Sequence, residues 1–287
     1  MRPRNWLLFS VMIFLWGSNW PVMKVGLSYV PAIRFVLHRF VLSTIALSPI
    51  FIVMRKKIPK DRWSLLKLLV LSIINVLGVV MTNIGLVGES SGIGAVLTYT
   101  QPFFVFCLAV PFLKEAATPI KVLGTVIGFL GVTVLSLDGI ESFTFNSTFT
   151  LILGAFLWAV TVIYYKKLLS QVDPLITSFF QLSMGVIPLA ALSFATGGIA
   201  IPRDLNYLLI LLYTSVGASA IGWTLWLLLL REEDAIVLSG SSFIVPMIAL
   251  IFGWLILGEE IQVRSIVGSA LILVGVYLVN LQARRRG

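Results

Sequence analysis

Charge, cysteine and histidine are what this sequence has least of. Only 11% of its 287 residues are charged, against roughly 25% in a soluble domain, so a globular fold would have too few charges to cover its surface. The lone cysteine, Cys107, excludes an internal disulfide, and its place in an apolar run suits a small buried hydrophobe. The lone histidine, His38, excludes a multi-histidine metal site. No metal and no cofactor is expected. There is no Gly-Lys pair, which excludes a phosphate-binding P-loop and ATP as an internal power source.

What is abundant is apolar surface. Hydrophobic residues make up 59% of the chain, and the mean hydropathy is +1.03. Ten apolar segments can be drawn, at 6–27, 31–54, 64–87, 92–113, 119–138, 147–168, 174–196, 205–230, 235–257 and 261–281. Each is close to the ~20 residues that a spanning helix needs. The short links predict antiparallel neighbours. Pro31, Pro119 and Pro174 stand where helices begin, and Pro102 and Pro246 lie inside spans, where each should kink its helix. The first apolar run follows Met1-Arg2-Pro3-Arg4 like a signal peptide, but no small-residue cleavage site follows it, so it reads as a retained span.

The net charge of +9 would suggest nucleic acid on a soluble protein, but here the basic residues fall between apolar runs. With ten spans, fifteen of them collect on one side, and only Arg203 and Arg264 lie on the other. By the positive-inside rule both termini are expected in the cytoplasm of a cell with this protein in its plasma membrane. The expected partners are the lipid bilayer and a small-molecule substrate, with no nucleic acid; a homodimer stays open.

The chain also matches itself at a shift of about 143 residues. Pro31 falls on Pro174, Gln101-Pro102 on Val245-Pro246, and Leu113, Glu115, Gly124 and Gly131 on Leu257, Glu259, Gly268 and Gly275. This divides the sequence at 1–140 and 141–287, five spans each. Five is odd, so the second half must enter the membrane inverted. The fold class expected is all-α, a polytopic membrane protein of ten transmembrane helices in two inverted repeats. Such repeats are a mark of carriers whose site lies near the midplane.

Trp16-Gly17-Ser18-Asn19, Lys24-Val25-Gly26-Leu27, Arg39-Phe40, Gln101-Pro102-Phe103, Leu113, Glu115 and the glycines 124, 128 and 131 run in this order along the first half. Val245-Pro246, Leu257, Gly258-Glu259, Gly268 and Gly275 repeat part of the pattern. In these residues the chain resembles the drug/metabolite transporter superfamily, specifically its EamA-type family. The resemblance implies a ten-helix fold around a central cavity and the export or import of amino acids and related metabolites.

Candidate substrate-binding residues come from the polar and aromatic positions within spans. Trp16, Asn19, Trp20 and Met23 share one helix face, and aromatics with one amide suit an organic solute. Arg34 and His38 share a second face, with Arg39 about 100° away from His38. Arg39 lies ~12 Å inward from Pro31, near the middle of a ~30 Å hydrocarbon core. It could meet an anionic group or tie helices together, while Arg34 and Lys24 are expected to snorkel. Asn75 and Asn83 line one side of the third span, Tyr99 and Gln101 precede a proline kink, and Ser242 precedes the other. Trp158, Tyr165, Trp223 and Trp226 are candidates that could equally face lipid. Ser239, Ser241 and the glycines of the fifth span read as packing. Glu115 and Glu259 are expected to cap the helices that follow them, and Asn146-Ser147-Thr148 is a sequon in an external loop.

These features predict a carrier working by alternating access, either a facilitator or weakly coupled. No clear mid-span carboxylate is present, and His38 alone has an intrinsic pKa suited to proton exchange. A cation exporter would need such a carboxylate. A Ser-His intramembrane enzyme would need a nucleophile elbow, and a non-transporting scaffold would have no use for inverted repeats and paired kinks.

Overall fold

The computed structural model describes residues 3–53, 58–136, 145–259 and 263–281. Arg2, Arg55, Lys56, Lys57, Asp138, Glu141, Glu260 and Arg284 to Arg286, which enter the charge pattern, lie outside the described residues, as does the side chain of Arg264.

The described regular structure is entirely helical. Eight helical stretches are long and apolar enough to cross a bilayer, and two shorter apolar helices, Pro119–Val134 and Val267–Leu281, complete ten. The first three spans are α1 (Pro3–Gly26), α2 (Ala32–Val53) and α3 (Arg62–Val87). Asp61 starts α3, its carboxylate accepting from the Ser64 amide at 2.8 Å. That charge-assisted bond holds the Asp61 carboxyl below the usual carboxylate range.

The fourth span is broken into α4 (Ser91–Thr98) and α5 (Gln101–Leu113). The cause is Pro102, which has no N–H to return to the carbonyl four residues back and crowds it. Pro246 does the same in the ninth span, which divides into α11 (Ala235–Ser241) and α12 (Ile244–Leu257). Pro119 and Pro174 open α6 (Pro119–Ser136) and α8 (Pro174–Ala195), as expected. The sequon is not in a loop: Asn146 stands in the first turn of α7 (Phe145–Leu168), with Ser147 buried. Nor is Cys107 buried; it faces outward from α5, where a bilayer serves an apolar side chain as well as a core does.

The eighth span carries a feature that hydrophobic periodicity does not show. Between α9 (Leu205–Leu212) and α10 (Gly222–Glu232), residues Tyr213–Ile221 form a π-helix. Four of its carbonyls take side-chain donors: Thr214 from Ser219, Ser215 from Ser43 on α2, Ala218 from Trp16 on α1, and Ala220 from Thr224.

The helices pair mainly across the middle of the sequence rather than within each half. α2 packs on α8, α3 on α7, α1 on α12, and α6 on α13 (Val263–Leu281). The α6–α13 seam is made of glycine. A Cβ on Gly124 would stand 2.8 Å from the Gly275 carbonyl, and one on Gly131 would stand 2.7 Å from that of Gly268. Gly128 gives way instead to the Phe243 ring. Without a hydrophobic drive between helices in lipid, this close approach supplies the van der Waals contact that holds the pair.

Both carboxylates expected to cap the next helix reach elsewhere. Glu115 follows the left-handed turn at Lys114 and accepts from the amides of Ala235 and Ile236, at 2.7 and 3.0 Å. Glu259 follows the left-handed turn at Gly258 and accepts from the amides of Ser91 and Gly92 and from the Ser91 hydroxyl. Each broken span therefore ends in the residue that closes the first turn of the other. An orphan N–H at a buried helix start needs such an acceptor, and a carboxylate also meets the positive end of the helix dipole.

Candidate functional site

Six spans meet around a cavity of about 100 Å³ near the middle of the bundle. Its floor is the α1 face on which Trp16, Asn19, Trp20 and Met23 recur at helical spacing. Opposite stand Val79, Thr82 and Asn83 of α3 and Trp158 of α7, drawn together by Gly78 and Gly154. The break in the fourth span contributes Thr98, Tyr99 and Gln101, because the proline-terminated first half-helix ends at the cavity wall rather than passing it. Trp223 enters just beyond the π-helix, and Arg39 from α2.

The aromatic side chains form a connected wall. Trp16 meets Trp158 edge-on at 5.5 Å and lies 5.4 Å from Trp226. Trp158 lies 6.1 Å from Trp223, and Trp20 contacts Tyr99 at 6.5 Å. Trp158 and Trp223 also border a second void of about 10 Å³, further along the bundle with Gln181, Trp226 and Leu227. They therefore divide the central cavity from the space beyond it. That far end is closed by charged contacts. Arg4 grips both oxygens of Glu232 at 2.7 Å, Asn5 donates to Glu233, Lys121 pairs with Asp234 at 3.0 Å, and Lys166 reaches Glu115 at 3.7 Å.

Of the residues singled out in sequence, Trp16, Asn19, Trp20, Arg39, Asn83, Tyr99, Gln101, Trp158 and Trp223 lie on the cavity wall. Three do not. His38 turns away, with Nδ1 hydrogen-bonded to the Tyr207 hydroxyl at 2.6 Å and Nε2 to the Ile199 carbonyl at 3.1 Å; the loop between α8 and α9 has claimed its ring. Asn75 is buried in α3 one turn short of the cavity, and neither of its amide atoms is hydrogen-bonded among the described residues. Ser242 stands behind Gln101, accepting its amide N–H at 3.3 Å while donating to the Ser239 carbonyl. Trp226 and Tyr165, which could have faced lipid, are buried inside the bundle.

Met23, Val79, Thr82, Thr98 and Ala218 also reach the cavity. The helical spacing along α1 and α3 points to the first three, whereas Ala218 carries no signal in sequence because its place depends on the π-helix. The head groups of Lys24 and Arg34 end on backbone carbonyls. Lys24 donates to the carbonyls of Leu86 and Val87 at the end of α3, and Arg34 to that of Gly197.

Comparison with known proteins decides what kind of molecule this is. The sequence model of the EamA-like transporter family matches residues 5–137 and again 146–281. The chain belongs to the EamA-like transporter family. Its relatives include the uncharacterized transporter YvbV of Bacillus subtilis, 28% identical over 99% of this chain and 93% of that one. A probable amino-acid metabolite efflux pump of Salmonella typhimurium is 26% identical over 97% of this chain and 95% of its own. Among solved structures, one crystal structure superposes with a TM-score of 0.81 at 17% identity, covering 100% of this chain and 99% of that one, a likeness of fold. This EamA-family member is a multi-pass membrane transporter and not an enzyme.

Proposed function

We propose that this transporter moves small organic solutes, amino acids or related metabolites, across the plasma membrane by alternating access around the central cavity. The observation that carries the reading is the lining itself. A void walled by four tryptophans and a tyrosine, with amide side chains from three spans, is suited to an organic body held by stacking and a few directed hydrogen bonds. The relative described as a probable amino-acid metabolite efflux pump supports the same solute class.

The reading includes two five-helix repeats of opposite orientation, 1–140 and 141–287, with both termini cytoplasmic. The double match of the family, the reciprocal carboxylate caps and the distribution of basic residues support it. In that orientation the charged contacts around Glu232 close the cytoplasmic end. Transport runs as a facilitator or with weak coupling, since no carboxylate among the described residues lines the cavity.

The test is counterflow of a labelled amino-acid and metabolite panel in liposomes, comparing the native protein with Trp16→Ala. Saturable exchange of one solute, lost in the variant, is the expected result. Exchange that Trp16→Ala leaves unchanged would remove the central cavity from the transport path.

A further inference from the structure

We propose that the central cavity selects its solute by a carboxylate, with Arg39 as the specificity-determining residue, and refuses organic cations. The proposal rests on the cavity being the transport site, and deepens that reading by naming the charge of what enters.

Arg39 is 3% exposed and lies in the middle of α2. A guanidinium carries five N–H donors, yet among the described residues this one has a single oxygen acceptor, the Ser219 hydroxyl at 3.0 Å. Ser219 in turn donates to the Thr214 carbonyl within the π-helix, so its oxygen is oriented to accept from Arg39. A second Arg39 N–H points at the Met23 thioether at 3.0 Å, a weak acceptor, and Nε has no partner among the described residues. The remaining close group is the Phe35 ring, 5.7 Å from the guanidinium carbon. No carboxylate among the described residues pairs with it.

A buried charge inside a membrane is ordinarily paired or functional. Arg39 is under-bonded, and it borders a void large enough for far more than the ~10–15 Å³ that one water occupies. The planar fork of a guanidinium matches a carboxylate in two parallel hydrogen bonds. Met23, flexible and weakly held, also lines the cavity and can give way to that stronger acceptor.

The rest of the wall asks for the opposite partner. Asn19 Oδ1, Asn83 Oδ1 and Gln101 Oε1 are buried acceptors with no donor among the described residues. Two of these amides are fixed with oxygen free, because the Asn83 nitrogen donates to the Val79 carbonyl and the Gln101 nitrogen to Ser242. A solute satisfying both sides carries a carboxylate at one point and an N–H or O–H donor at another, on a body flat and apolar enough for the tryptophans. The aromatic wall alone would also suit an organic cation over its ring faces. The unpaired Arg39 decides against it: two positive charges in one low-dielectric cavity repel.

The test uses purified protein in lipid nanodiscs and three probes of one shape: phenylpropanoate, phenylpropanol and phenylpropylamine. Binding is read by tryptophan fluorescence and thermal shift. The acid is expected to bind about tenfold or more tightly than the alcohol or the amine, with the preference abolished in Arg39→Met and kept in Met23→Leu. Because the comparison is made first on the native protein, it stands even if Arg39→Met fails to fold. Equal binding of acid and alcohol, tighter binding of the amine, or no binding of any probe overturns the proposal. If the amine binds at least as tightly as the acid and its binding is lost in Trp16→Ala, charge selection falls while the cavity reading stands. Acid binding that survives both Trp16→Ala and Arg39→Met removes both.

Discussion

Glu115 and Glu259 exchange ends. Each stands just past the second half of one broken span and hydrogen-bonds the first amides of the other. The two bonds sets lie at opposite ends of the bundle, so what one carboxylate does can be altered without touching the other.

Replacing Glu115 by Ala should therefore cost about 1.5–3 kcal/mol, the range for bonds to a charged group, and Glu259→Ala a similar amount. Because the sites are far apart, the double variant should lose the sum to within about 0.5 kcal/mol. Denaturation of the four proteins in one detergent measures this, and Gln at either position should recover part of the loss. A double variant no worse than either single would show that the caps are not independent.

The glycine seam between α6 and α13 makes a sharper demand. At Gly124 or Gly131 an added Cβ would press on a backbone carbonyl, which cannot swing aside as a side chain can. Gly131→Ala should destabilise the protein by about 1–3 kcal/mol. Gly258→Ala should cost less, because nothing stands within 4 Å and only its left-handed φ of 68° resists the change. Melting temperatures of the two variants should separate in that order.

His38 and Tyr207 give a prediction that splits structure from solute binding. Their bond and the one to the Ile199 carbonyl clip the loop after α8 onto α2. His38→Phe should raise amide exchange in residues 197–204 and cost about 1–3 kcal/mol, the penalty for stranding buried polar groups. Solute affinity should stay within about twofold, since the ring does not reach the cavity. A large loss of affinity with unchanged exchange would place His38 at the site after all.

A further variant reaches the cavity from behind. A Cβ on Gly222 would stand 2.6 Å from the Trp16 indole nitrogen, whose hydrogen bond to Ala218 is 3.0 Å long. Gly222→Ala should break that bond and tilt Trp16 into the void, lowering counterflow several-fold, on the order of 1 kcal/mol, without removing any cavity group. The shift in tryptophan fluorescence should accompany the loss.

Much of this was legible in the sequence because it rests on local rules. Span length, the proline breaks at Pro102 and Pro246 and the one-sided spacing of Trp16, Asn19, Trp20 and Met23 all follow from backbone geometry. The glycine seam was legible as a spacing, though not its partner. What escaped depends on distant chain. His38 looked like a site residue because nothing local shows the loop that binds it, and Glu115 and Glu259 looked like caps of their own neighbours because the amides they serve come from the other half. The π-helix at Tyr213–Ile221 is too short for its period to stand out from the α-helices around it. With it went the place of Ala218 and the Ser219 contact to Arg39.

The crossed caps also set an order of events during synthesis. Ser91 and Gly92 leave the ribosome long before Glu259 does, so the start of α4 waits, in lipid and without its acceptor, until nearly the whole chain has been made. Glu115 has the shorter wait, for Ala235 and Ile236. The first five spans alone hold a carboxylate with no helix to close and a helix with no carboxylate to close it. A truncation after the fifth span should insert and remain soft, and the same piece supplied with the missing half as a separate chain should regain protection at Ser91 and Gly92. Completion of the fold is thus an act of assembly between halves, even though one chain carries both.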